Sequence, residues 1–276
     1  MLATKDLTIR FGGHVAVNAV TCAFQPGTLT AIVGPNGAGK TTYFNLISGQ
    51  LKASAGQVTL DGRDLSGFSP SARTRAGLGR AFQLTNLFPR LTVLENVRLA
   101  VQAAREGPHR RGLNLWSIWS DHRGLTQRAD EILVAVALAD KENELVANLP
   151  HGDQRKLEVA LLMGLESKVF MFDEPTAGMN AAEAPVILNL IRKLKEDSSK
   201  TILLVEHKMD VVRELADRII VLHNGSLVAD GDPAAVIASP IVQEAYLGVA
   251  PKDASAQDGT PPRPGLPPQG ERSENT

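Results

Sequence analysis

The sequence has a single cysteine, few aromatic residues, no long apolar run and no excess of either charge. Cys22 has no second cysteine to pair with, and the N-terminus passes straight into Ala3-Thr4-Lys5-Asp6 with no hydrophobic signal core. Both absences point to a reducing cytosol. Crossing a bilayer takes about 18 apolar residues in a row, whereas the runs Val169 to Phe172 and Ile202 to Val205 end after one strand's worth. Any membrane role therefore falls to a partner. The formal net charge of -1 gives no global attraction for nucleic acid or for an anionic lipid surface, so no nucleic-acid partner is expected.

What the chain does have is ordinary globular composition: 276 residues, 43% hydrophobic and 21% charged, enough for one α/β domain with an appendage. Leu7-Thr8-Ile9, Val15-Ala16-Val17 and Leu29 to Val33 read as β segments separated by Gly12-Gly13 and Pro26-Gly27 turns. After Gly39 the apolar residues Tyr43, Phe44, Leu46 and Ile47 fall at helical spacing, and Gly49 stands where that helix stops. Asp61-Gly62 and Asn224-Gly225 read as tight hairpin turns.

From Leu91 to Leu149 the texture is helical, with Ala129, Ile132, Leu133 and Val136 on one face and a less regular insertion over 107–124 that holds both tryptophans. A further helix from Asp153 places Leu157, Ala160, Leu161 and Gly164 together, followed by a buried-strand run, Val169 to Phe172. Strand and helix then alternate through Thr201 to Val205 and Arg218 to Leu222, which predicts a largely parallel sheet. Residues 2–250 are expected to form the folded domain, with a helical subdomain around 84–165. The segment 251–276, rich in Pro, Gly, Ser and charge, is expected to be a disordered tail.

Gly34-Pro35-Asn36-Gly37-Ala38-Gly39-Lys40-Thr41 fits the pattern G-x-x-x-x-G-K-[ST] and joins a strand to a helix, the context a phosphate-binding loop needs. Small residues let consecutive backbone N–H groups face phosphate oxygens, and the helix start adds the positive end of its dipole. Lys40 neutralises the β and γ phosphates, and the hydroxyl of Thr41, with Thr42 next to it, is placed for a magnesium ion. Asp173 and Glu174 end a buried strand at the carboxyl edge of the sheet, where ligands of open α/β folds sit. Asp173 suits Mg²⁺, and Glu174 is placed to orient and deprotonate an attacking water. An apolar run ending in two acids, taken alone, reads equally well as a solvated turn.

The order of these features resembles the ATPases of ABC transporters over about residues 2 to 250. Gln83 follows the phosphate loop, then come Leu149-Pro150-His151-Gly152-Asp153-Gln154, Asp173-Glu174, Ala177-Gly178-Met179-Asn180 and His207 in Val205-Glu206-His207-Lys208. The resemblance implies a P-loop α/β core with an N-terminal antiparallel β subdomain and an inserted helical subdomain. Its cofactors would be ATP and Mg²⁺. It implies that Gln83 touches the metal or the water and couples the nucleotide site to a membrane permease, that His207 contacts the γ-phosphate, and that residues 150–154 close over the ATP held by a second ATPase subunit. It also implies that Phe11 stacks on adenine, although a Phe ending an alternating strand reads as core too. The chain departs from the family pattern at Pro150, where a serine is usual, and at His151, where a glycine is usual. Pro150 has neither hydroxyl nor N–H, which puts the rate of hydrolysis in question.

Phe11-Gly12-Gly13-His14, the insertion around Arg105 to Gly124 and the ending Tyr246-Leu247-Gly248 look most like the ATPases of branched-chain amino acid importers, although importers of urea, short amides or a related small polar solute and the lipopolysaccharide-export ATPase share much of this texture. The implied setting is the cytoplasmic face of the cell membrane, with permease subunits as direct partners and a solute-binding protein as an indirect one. The alternative is a soluble or degenerate regulatory ABC ATPase with no coupling to transport.

Overall fold

Glycine turns divide the N-terminal third into strands that fall into two sheets. The computed structural model describes residues 1–81, 87–105, 123–179, 183–240 and 242. Gln83, residues 106–122 of the insertion, Asn180 and the tail beyond 250 lie outside the described residues. β1 (Leu2–Phe11) and β2 (His14–Phe24) form a hairpin across Gly12-Gly13, with Phe11 opposite His14. β3 (Leu29–Val33) leaves this sheet and leads through the glycine loop into α1 (Lys40–Ser48). β4 (Ala55–Leu60) and β5 (Arg63–Asp64) then return, joined at Asp61-Gly62, and complete an antiparallel sheet of order β2-β1-β4-β5.

Two elements here are absent from the sequence reading. α2 (Pro70–Arg75) starts on a Ser69 cap whose hydroxyl accepts from the Ala72 N–H, and its first residue is a proline, which has no N–H to leave unpaired. It delivers the chain to β6 (Leu78–Ala81). α3 (Val93–Arg105), α4 (Arg123–Ala135) and α5 (His151–Gly164) follow and share one apolar cluster with Ala129, Ile132, Leu133 and Leu157 at its centre. Gly164 lets α5 lie close to α3, since a Cβ there would stand 3.0 Å from that of Ala100. α5 begins at His151 rather than at Asp153. Pro150 takes the cap position, and its carbonyl accepts from the N–H groups of Asp153 and Gln154.

The remaining chain supplies β7 (Val169–Asp173), α6 (Ala184–Lys195), β8 (Thr201–Val205), α7 (Met209–Leu215), β9 (Arg218–His223), β10 (Ser226–Gly231) and α8 (Pro233–Ala238). The central sheet has the order β10-β9-β3-β8-β7-β6 and is parallel apart from β10. β3 and β8 are buried along their whole length and β7 up to Asp173, as apolar strands covered on both faces must be. One face packs on Tyr43, Phe44, Leu46 and Ile47 of α1, and the other on α5 and α6. Burying a ring such as Phe44 stabilises the fold by about 1.5–3 kcal/mol. Among the described residues no helix is long and apolar enough to cross a membrane.

Register decides what meets at the carboxyl edge of this sheet. Ile32 of β3 is level with Val205 of β8, Val205 is level with Asp173 of β7, and Phe172 is level with Ala81 of β6. The glycine loop, the acid pair and the His207 loop therefore leave the sheet along one line, beside the end of β6 at Ala81.

Candidate functional site

The loop from Gly34 to Lys40 is fixed by close backbone packing. Gly39 sits at φ 97°, and a Cβ there would lie 2.5 Å from the Ala16 carbonyl oxygen, so only glycine fits. Gly34 is as constrained, with a Cβ falling 2.2 Å from the Leu222 carbonyl. The Asn224-Gly225 turn braces the loop from beneath, its Gly225 N–H donating to the Ala38 carbonyl at 3.0 Å. α1 starts at Lys40 with no side-chain cap, which leaves its first-turn N–H groups for an anion. The Lys40 ammonium donates to the Gly34 and Pro35 carbonyls at 2.7 and 2.9 Å. Burial pushes its pKa down, against the opposing charges of Glu174 and Asp173. A cavity of about 300 Å³ opens here, lined by Asn36, Gly37, Lys40, Thr41, Thr42 and, from outside the loop, His14, Ala16 and Glu174.

Glu174 follows β7 at φ 49°, a left-handed turn unusual for a residue with a side chain. Its N–H donates to the Val205 carbonyl at 2.9 Å, which holds the turn against β8. Its carboxylate reaches the cavity, and Oε1 lies 3.8 Å from Nδ1 of His207. Both side chains are about half exposed, so the pair faces open solvent. Glu206 is buried, its Oε1 accepting from the Lys208 N–H and its Oε2 without a partner among the described residues. Burial raises its pKa.

Asp173 is nearly buried and ion-paired. Oδ2 accepts from Nη2 of Arg80 at 3.0 Å. Arg80 also donates through Nη1 to Asn45 Oδ1 at 2.5 Å and Ser48 Oγ at 2.9 Å, and its guanidinium lies over the Phe44 ring. Burial pushes the Asp173 carboxyl up, against the pull of Arg80, and pushes Arg80 down, against the pull of Asp173. A buried pair of this kind costs desolvation on both sides.

The turn at 149–154 is braced by its own side chains. Gln154 Nε2 donates to the Leu149 carbonyl at 2.9 Å, and the Asp153 carboxylate accepts from Lys141 at 2.6 Å and Lys156 at 2.7 Å. Burial raises the Asp153 pKa, but the two lysines outweigh it and hold the carboxyl below its ordinary value. A Cβ at Gly152 would stand 3.0 Å from Glu183 Oε1, so that carboxylate lies against the start of α5. Pro150, Gly152, Asp153, Lys156, Met179 and Glu183 line a hollow of about 230 Å³. Ala177 and Met179 follow in tight turns, their N–H groups donating to Glu174 and Thr176 carbonyls.

The structure thus gathers Lys40, Thr41, Thr42, Asp173, Glu174 and His207 at one edge. Phe11 is 50% exposed, so it is not a core residue, and it ends β1 beside this cavity's hairpin without lining the cavity itself. Two residues were missed as site candidates. His14 enters the cavity wall because the Gly12-Gly13 turn folds β2 toward the loop. Arg80 had a visible signal, a lone charge within the otherwise uncharged strand Leu78 to Ala81.

A family model described as ABC transporter matches residues 17–177, and one described as branched-chain amino acid ATP-binding cassette transporter matches 226–251. The chain is 38% identical over 251 residues to the high-affinity branched-chain amino acid transport ATP-binding protein LivG of Salmonella typhimurium, covering 91% of this chain and 98% of LivG. LivG of Escherichia coli K12 is 37% identical and BraF of Pseudomonas aeruginosa 36%, with the same coverage. The crystal structure of the ADP conformation of MJ1267, an ATP-binding cassette of an ABC transporter, superposes with a TM-score of 0.75 at 29% identity, over 90% of this chain and 99% of that one. The dimeric structure of the cassette MJ0796 bound to ADP and phosphate superposes at 0.69 and 26%, over 84% and 99%. By the family match, the relatives and the superposed cassettes, this chain belongs to the ABC transporter family as one of its ATP-binding, ATP-hydrolysing cassettes.

Proposed function

We propose that this cassette powers import of branched-chain amino acids through a separate permease, seated on the cytoplasmic face of the membrane. The observation that carries the reading is end-to-end similarity to proteins named for that transport, at 36–38% identity over 98% of their length. Two cassettes, each closing residues 150–154 over the other's nucleotide, would form the working pair, and a solute-binding protein would deliver cargo to the permease. A degenerate regulatory role finds no support in the site, where Lys40, Asp173, Glu174 and His207 converge.

In this reading Phe11 offers its exposed ring to adenine, and Lys40 turns from its two carbonyls to the β and γ phosphates. The Glu174 carboxylate accepts a proton from the attacking water, with His207 beside it to donate to the γ-phosphate. Gln83 would sense that phosphate from the permease side. The Thr41 hydroxyl and the Asp173 carboxylate are hard oxygen donors suited to Mg²⁺. Asp173 Oδ2 is held by Arg80, and Oδ1 has no donor among the described residues, so the donor set fits a cation shared with phosphate oxygens. When bound, Mg²⁺ would offset negative charge on the phosphates.

The test is reconstitution with the neighbouring permeases in proteoliposomes together with their solute-binding protein. Leucine, isoleucine or valine should stimulate ATP hydrolysis and be taken up. Stimulation by an unrelated solute and by none of these three would overturn the assignment.

A further inference from the structure

We propose that Arg80 is a positioning residue that sets the direction of the Asp173 carboxylate relative to Thr41, and so the strength with which the site holds a divalent cation. The inference rests on the reading of Thr41 and Asp173 as cation ligands. Those two residues belong to different elements, the first turn of α1 and the end of β7. Apolar packing brings the two elements together but does not aim the Asp173 carboxylate. Arg80, on β6, links the two: Nη2 takes Oδ2 of Asp173, while Nη1 takes Asn45 and Ser48 on α1, the helix that carries Thr41. Phe44 of the same helix supports the guanidinium face at 5.1 Å. The planar fork is thus held on three sides, and through it α1 dictates where one Asp173 oxygen points.

A purely space-filling role does not account for this arrangement. The side chains of Arg80 and Asp173 are 10% and 8% exposed, and Arg80 Nε has no acceptor among the described residues. An apolar pair would fill such a space at lower desolvation cost. An arginine is favoured if the fork itself is needed, because a single ammonium cannot grip a carboxylate and a separate amide in one plane. Occupying Oδ2 also leaves Oδ1 as the oxygen offered to the cation.

The readout is the factor by which Mn²⁺ tightens ADP binding over binding in EDTA, measured by calorimetry, since that factor reports cation affinity without turnover. Loss of an outer partner of a metal ligand typically weakens metal affinity about 10- to 100-fold. In Arg80→Met the factor should fall about tenfold or more while ADP affinity in EDTA stays close to wild type, and melting should drop because Asp173 loses its buried partner. Arg80→Lys should recover part of the factor, because its ammonium can still pair with Asp173. Should Arg80→Met fail to fold, Asn45→Ala removes the anchor of Nη1 and should lower the factor less than loss of the fork does. An unchanged factor in folded Arg80→Met or in Asn45→Ala, or no recovery in Arg80→Lys, overturns the proposal. Asp173→Asn separates the two readings: it should abolish the factor, and if it leaves the factor intact, the assignment of Asp173 as a cation ligand fails instead.

Discussion

The glycine loop at 34–41 and the turn at 149–154 both introduce a helix with an uncapped first turn, yet they are built in opposite ways. The loop is locked by backbone approach, with Gly34 and Gly39 touching carbonyls of neighbouring strands and Gly225 bonded beneath. The turn is locked by side chains, through Gln154 on Leu149 and two lysines on Asp153. A backbone lock tolerates no substitution, whereas a side-chain brace leaves the positions it does not use free to vary. Neither the Pro150 nor the His151 side chain takes part in that brace.

The largest effect is expected where the backbone lock is broken. Gly39→Ala adds left-handed strain of about 1–2 kcal/mol and forces the Ala16 carbonyl aside. Calorimetry should find nucleotide binding lost, with melting lowered by clearly more than the ~2–8 °C that the strain alone would cause at the usual ~2–4 °C per kcal/mol for domains of similar size. If Pro150→Ala does equal damage to nucleotide binding by the isolated chain, the contrast between the two regions is wrong. Next comes Glu174→Gln, which leaves the loop intact and removes the proposed base. ATP should still bind while turnover falls about 100-fold or more, and the protein should collect as an ATP-bound dimer in size measurements. Turnover equal to wild type would dismiss Glu174 as the base.

Pro150→Ser probes the turn. It restores a hydroxyl worth on the order of 1.5–3 kcal/mol if it bonds the partner's γ-phosphate. ATP-dependent dimerisation should tighten and the maximal rate should rise, with nucleotide affinity of the monomer unchanged. The same dimerisation constant and the same rate would mean that the neighbouring backbone donors already suffice. The smallest effect is expected at Gly37, which shares the loop and a φ of 79° but has open space around its Cβ position. Gly37→Ala should cost only the strain, about 1–2 kcal/mol. A melt of Gly37→Ala as low as that of Gly39→Ala would show that strain alone, and not close approach, makes the loop intolerant.

Features carried by local chemistry were legible in the sequence. β3 spans Leu29–Val33 as read, α1 stops at Gly49, and the Asp61-Gly62 and Asn224-Gly225 turns join the strands expected. Features set by distant pairing were not. β6 is a short edge strand whose one neighbour among the described residues, β7, comes about ninety residues later, so periodicity could not announce it, and the lone charge of Arg80 was the one signal it left. The start of α5 was misplaced because a proline at a cap looks like a break until its carbonyl is seen accepting from the first turn. Phe11 illustrates the same limit: an alternating strand predicts a facing side, but its half exposure depends on what lies over the hairpin end.

The left-handed turn at Glu174 has a consequence for how such a protein would respond to artificial selection. A side chain at that φ carries strain of about 1–2 kcal/mol that a glycine would not. Relief of that strain, less the roughly 0.5–1 kcal/mol of extra freedom that glycine gives the unfolded chain, leaves Glu174→Gly melting slightly above wild type while hydrolysing almost no ATP. A library screened for heat tolerance alone would drift toward that substitution and return a sturdier protein that no longer turns over, so any effort to harden this cassette must score catalysis in every round.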